Sequence, residues 1–121
     1  MDKAASFEDL IVWQKAHQLT LEIYKVTADF PQSEQFALTS QMRRAAYSIP
    51  SNIAEGFAKR GVRDKLNFYN IAQGSLQELK YFVILSSDLG YQDSREGLLQ
   101  SVTEVGKLLS GYISKIKASN F

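Results

Sequence analysis

The sequence has no cysteine, one histidine, two prolines and no long apolar run. Without cysteine there is neither a disulfide framework nor a thiolate metal site. The longest stretch lacking charged residues, Leu66 to Gln77, is broken up by Asn, Gln, Gly and Ser. It falls well short of the roughly 18 apolar residues that a membrane span needs. The opening residues, Met1 to Ser6, carry no basic stretch leading into an apolar one, so no secretory signal is expected and a cytoplasmic location is. Gly and Pro together make up only 9 of 121 residues, against 45% hydrophobic and 22% charged. That is the composition of a single folded domain rather than of a disordered chain.

The single histidine, His17, restricts catalysis most. A di-iron site in a helical bundle needs Glu-x-x-His pairs on two helices, and no Glu here is followed by His at that spacing. Every arginine lies downstream of His17, which removes the Arg-then-His order of small helical ribonucleases. A Ser-His-Asp triad would depend on this one ring, which falls on an apolar helical stripe and reads as a partly buried or interface side chain. The segment Gly56 to Arg63 superficially resembles a phosphate loop but lacks the Lys-Ser/Thr ending and a preceding strand. Glu55 and Glu78 read as salt-bridge partners rather than as an acid–base pair. No enzyme activity, metal or cofactor is expected.

What is present is helical periodicity. Ser6 with Asp9 marks a helix start, followed by Val12, Ala16, Leu19, Ile23, Val26 and Phe30 on one face. Leu10, Trp13, His17 and Tyr24 form a second stripe about 100° round from it. Pro31 ends the segment. Ser33 is the expected cap of a second helix through Leu38, Met42, Ala45, Ala46, Ile49, Ile53 and Phe57, ending near Ala58 to Arg60. Pro50 lies inside it, removes a donor to the Ala46 carbonyl, and predicts a kink. A third helix is expected from about Arg63 to Leu89, with Tyr69, Ala72, Leu76, Leu79 and Val83 inward and Gly90 as its terminal cap. The fourth carries Leu98, Val102, Val105, Leu109, Tyr112 and Ile116 at four-three spacing. Short links between four such segments predict an all-α, up-down-up-down bundle over residues 1–121.

The first and third helices are apolar over more than one stripe, which fits a thick core or a subunit contact. Trp13, Tyr24, Phe68, Gly74 and Phe82 are the candidate oligomer-interface residues. The net charge of +1 hides an asymmetry: residues 1–34 are net −3, residues 35–65 net +4, and residues 66–121 neutral. The bases of the middle segment, Arg43, Arg44, Lys59, Arg60, Arg63 and Lys65, are the candidate nucleic-acid-binding residues. The arginine pair and the later group are separated by about 24 Å along a helix. Arg43 or Arg44 has a competing role, pairing with Glu55, Glu78 or the carbonyl freed by Pro50.

Three stretches carry a resemblance. They are Phe7-x-x-Leu10-x-Val12-Trp13-Gln14-Lys15-Ala16, Arg43-Arg44-Ala45-Ala46-x-Ser48-Ile49-Pro50-Ser51-Asn52-Ile53-Ala54-Glu55-Gly56, and Phe68-x-x-Ile71-Ala72-x-Gly74-Ser75-x-x-Glu78-Leu79. They resemble the four-helix-bundle proteins encoded in intervening sequences of bacterial 23S ribosomal RNA genes. The resemblance implies an up-down bundle assembled as a ring-shaped homopentamer. It also implies kinship with the accessory protein of diversity-generating retroelements, which binds nucleic acid and a reverse transcriptase. The functions expected are thus electrostatic RNA or DNA binding by an oligomer, or an accessory role beside a nucleic-acid enzyme.

Overall fold

The computed structural model describes residues 4–119, so residues 1–3, part of the segment read for a secretory signal, lie outside them. Four helices follow in order: α1 Ile11–Thr27, α2 Leu38–Ala58, α3 Val62–Asp88 and α4 Arg95–Ala118, with no strand among the described residues. Each buries one stripe at four-three spacing. Val12, Ala16, Leu19 and Ile23 of α1 meet Met42, Ala46, Ile49 and Ile53 of α2, Tyr69, Leu79 and Val83 of α3, and Leu98, Val105 and Leu109 of α4 in one core. No helix is long and apolar enough to cross a membrane among the described residues.

Two helix starts differ from expectation. Ser6 does form a capping box with Asp9, but it caps a 3₁₀ turn, Phe7–Asp9. Leu10 then adopts an extended backbone, and α1 begins only at Ile11. Ser33 is not the cap of α2, because it sits inside a second 3₁₀ turn, Gln32–Glu34. The Glu34 carboxylate instead accepts from the Leu38 amide at 3.3 Å, so an acid one turn upstream satisfies an N-terminal donor. The end of α3 follows the expectation. Gly90 has φ 77°, and the amides of Gly90 and Tyr91 donate to the carbonyls of Ser87 and Ser86, a Schellman arrangement.

Pro50 lies within α2, which runs through it without a break. The Ala46 carbonyl that it deprives of a donor lies 3.1 Å from the Thr20 hydroxyl of α1. That same hydroxyl reaches the Ala16 carbonyl at 2.9 Å, which already belongs to the helical ladder of α1. Thr20 is therefore a cross-helix substitute for the donor that proline lacks, and it ties α1 to α2 at mid-height.

Near the α2–α3 turn the buried ring of Tyr69 packs edge-on to Tyr112 at 5.2 Å, and its hydroxyl donates to that of Tyr112 at 3.4 Å. Burial first, and the Tyr112 hydroxyl second, hold the Tyr69 phenol above the ordinary tyrosine value of 10.0. An unfolded tyrosine ionises near that value while this one stays neutral, so the native state keeps a proton that the unfolded chain gives up. Stability is whole below that pH and falls above it, by about 1.4 kcal/mol per pH unit for one such group. Urea melts at successive alkaline pH values should show this slope, and Tyr69→Phe should remove most of it.

Candidate nucleic-acid interface

The antiparallel arrangement places the end of α2, the start of α3 and the end of α4 together. Leu66 and Asn67 of α3 line one groove with Ile113 and Lys117 of α4, and Leu10 and Ile11 line another with Tyr112 and Lys115. The turn at this end is Lys59, Arg60 and Gly61. Lys59, Arg60 and Arg63 are exposed, and none forms an ion pair among the described residues. The Lys59 ammonium stands 5.2 Å above the Phe68 ring, which leaves its charge facing water. Lys115 and Lys117, in the last turn of α4, add two more exposed cations.

Lys65 behaves differently. Its ammonium donates to the carbonyls of Gly56 at 3.2 Å and Phe57 at 2.9 Å at the end of α2, the first of which also accepts from the Lys59 amide. Partial burial lowers its pKa. It is a helix-terminal cap first and a surface charge second.

Arg43 and Arg44, the earlier pair of the basic segment, stand apart from this group and are engaged within the chain. Arg43 donates from Nε to the Thr27 hydroxyl at 2.8 Å and from Nη2 to the Tyr24 carbonyl at 3.3 Å, with its guanidinium 4.6 Å over the Tyr24 ring. Arg44 reaches both Glu78 oxygens from one Nη, at 3.0 and 2.9 Å, and donates to Gln41 as well. Glu78 is thus a salt-bridge partner, as the sequence suggests. The carbonyl freed by Pro50 goes to Thr20 rather than to an arginine.

The candidate interface residues divide among three faces. Trp13 packs edge-on to Phe7 and lies flat against His17, with ring centroids 5.0 Å apart in each pair. His17 is exposed, not partly buried, because it lies further round α1 than the core stripe and rests on the outer side of the indole. Tyr24 shares this α1–α2 side. Phe68 and Phe82 each lie two turns from Ser75, which bonds Ser48 of α2 at 2.8 Å, so they border the α2–α3 side. Gly74 opens onto solvent, and an added Cβ would touch nothing within 4 Å. Periodicity misses the most exposed large apolar group among the described residues: Phe36, 89% exposed just before α2, with Leu21 of α1 and Tyr47 of α2 also exposed. Its only signal is an aromatic residue lying outside any helical stripe.

The family model described as 23S rRNA-intervening sequence protein matches residues 8–111. The chain belongs to that family. A solved structure from Bacteroides thetaiotaomicron, described as a protein with unknown function from the S23 ribosomal protein family, is similar over 86% of this chain and 96% of that one. The two share 25% sequence identity with a TM-score of 0.79. No curated protein matches the chain. The matched span of this intervening-sequence family member takes in α1, α2, α3 and most of α4, and with them nearly all of the three motifs that carry the resemblance.

Proposed function

We propose that this protein is a non-catalytic, homo-oligomeric bundle of the cytoplasm, with five copies in a ring, that binds RNA or DNA electrostatically and without sequence specificity. The observation that carries this reading is the exposed group Lys59, Arg60 and Arg63 at one end of the bundle, free of ion pairs among the described residues, with Lys115 and Lys117 beside it. Five copies in a ring multiply that group, so interactions weak in one subunit add through effective concentration. Phosphate neutralisation by Lys and Arg carries no base information, which suits a nonspecific ligand site.

The test is a salt titration with short fluorescent RNA and DNA strands on protein whose subunit count has been set by light scattering. Lys59→Glu, Arg60→Glu and Arg63→Glu together are expected to weaken binding at least about tenfold, and to lower the log–log salt slope by about 0.7 for each phosphate no longer neutralised. The assembly mass should stay unchanged. Lys65 is left intact because its replacement would also uncap α2. Wild-type affinity in the triple variant would sink the proposal.

A second reading, an accessory subunit for a nucleic-acid enzyme such as a reverse transcriptase, is favoured by a different observation. Phe36, Tyr47, Leu21 and Tyr24 are exposed apolar side chains on α1, α2 and the link between them, of the kind a partner protein covers. On that reading the purified protein binds nucleic acid poorly and a partner is recovered with it from native cells.

A further inference from the structure

Between α3 and α4 runs a groove of about 270 Å³ lined by Leu66, Asn67, Asn70, Gln73, Ile113 and Lys117. Asn67 and Asn70 are exposed, Gln73 is half-buried, and none of these amides has a hydrogen-bond partner among the described residues. Asn52 and Gln92, by contrast, donate within the chain. Ser114 and Ser110, one and two turns before Lys117 on α4, are exposed as well. Residues 63–80 contain two acids, Asp64 and Glu78, and residues 103–117 contain one, Glu104. None of them lines the groove: Glu78 is held by Arg44 of α2, Glu104 faces Lys15 of α1 at 4.0 Å, and Asp64 is exposed one turn before Asn67, outside the lining. The uncharged stretch from Leu66 to Gln77 thus becomes an acid-free wall of amides, with exposed Arg63 before it and exposed Lys80 after it.

We propose that this amide-lined groove carries the sugar–phosphate backbone of a nucleic-acid strand leading away from the basic end. The inference rests on the nucleic-acid reading of the basic end and extends it from an end patch to a track. Charge complementarity selects the ligand. Side-chain amides donate to phosphate oxygens, flanking cations neutralise them, and no carboxylate lining the groove repels them. From Arg63 to Lys80 the helix rises about 26 Å, room for several phosphates at the roughly 3.4 Å spacing of a stacked strand.

The experiment combines Asn67→Asp, Asn70→Asp and Gln73→Glu, near-isosteric changes that place carboxylates on the groove. Affinity for the fluorescent strand is expected to fall about tenfold or more, with melting temperature and assembly mass unchanged. The same three charges introduced at exposed Gln18, Gln32 and Gln35 are expected to change it less than about twofold, since they sit away from the groove. Asn70→Arg should tighten binding, a change of opposite sign that structural damage does not produce. Wild-type affinity in the groove variant overturns the track. A changed subunit count in that variant overturns it too, because a second copy then covers this face. If the groove variant binds normally while the Lys59, Arg60 and Arg63 variant does not, the track fails and the basic end stands. If wild-type protein shows no salt-dependent binding, both fall.

Discussion

Alanine at Gly56 is expected to destabilise the protein by about 2 kcal/mol, whereas alanine at Gly74 should stabilise it by about 0.5–1 kcal/mol. Both glycines are helical, so both substitutions gain intrinsic helix propensity. The sign is decided by what the added Cβ meets. At Gly56 it would lie 2.5 Å from Cε1 of Tyr69 and 3.0 Å from Cδ1, while at Gly74 it meets nothing within 4 Å. Tyr69 has no exposed surface and is held by core neighbours on every side, so its ring cannot swing clear. Overpacking of this kind costs about 1–3 kcal/mol, and the upper end applies less the propensity gain of about 1. A thermal melt should show a fall of about 8 °C for Gly56→Ala and a small rise for Gly74→Ala. Equal melting temperatures for the two variants would mean that Gly56 is not a contact point between α2 and α3.

The second large effect is expected at Thr20. Thr20→Val keeps the shape and removes the hydroxyl that serves the Ala46 carbonyl, leaving a buried acceptor beside Pro50 with no donor. An unsatisfied buried polar group costs about 1–3 kcal/mol. The attribution is checked by a double-mutant cycle with Pro50→Ala, which restores an amide donor to Ala46 within α2. Thr20→Val should then cost little, with a coupling of about 1–2 kcal/mol between the two positions. Additive costs in denaturant melts would show that Thr20 acts only within α1, through the Ala16 carbonyl.

Why these positions matter is only partly legible in the chain itself. That Pro50 strips Ala46 of a donor follows from covalent structure, but that Thr20 replaces it depends on the height at which α1 crosses α2. In sequence Gly56 stands only a few residues before the expected end of a helix. Its actual role is to let α2 approach the Tyr69 ring, which comes from α3. Ser33 looks like a better N-cap than Glu34, yet a 3₁₀ turn before α2 hands the capping to the carboxylate. Local preference loses there because the path of the loop decides which side chain reaches the free amide.

The candidate site divides in the same way. Lys59, Arg60 and Arg63 follow Gly56 and precede or open α3, so their exposure is foreshadowed by the turn. An intrachain role for Arg43 or Arg44 is legible in the sequence, and both arginines meet acceptors on a neighbouring helix, whereas Lys65 looks like its basic neighbours until the fold sets it against the end of α2. Lys115 and Lys117 join the basic end only because α4 runs antiparallel to α3.

By itself, then, the sequence determined four helices, the residues each turns inward, the end of α3 at Gly90 and the absence of thiol chemistry. These follow from periodicity and composition, which act within a few residues of chain. The tertiary structure decided which bases stay exposed, where the Ala46 carbonyl freed by Pro50 finds its donor, and which face is left without acids. Those depend on what stands across an interhelical gap, and no local pattern encodes the neighbour.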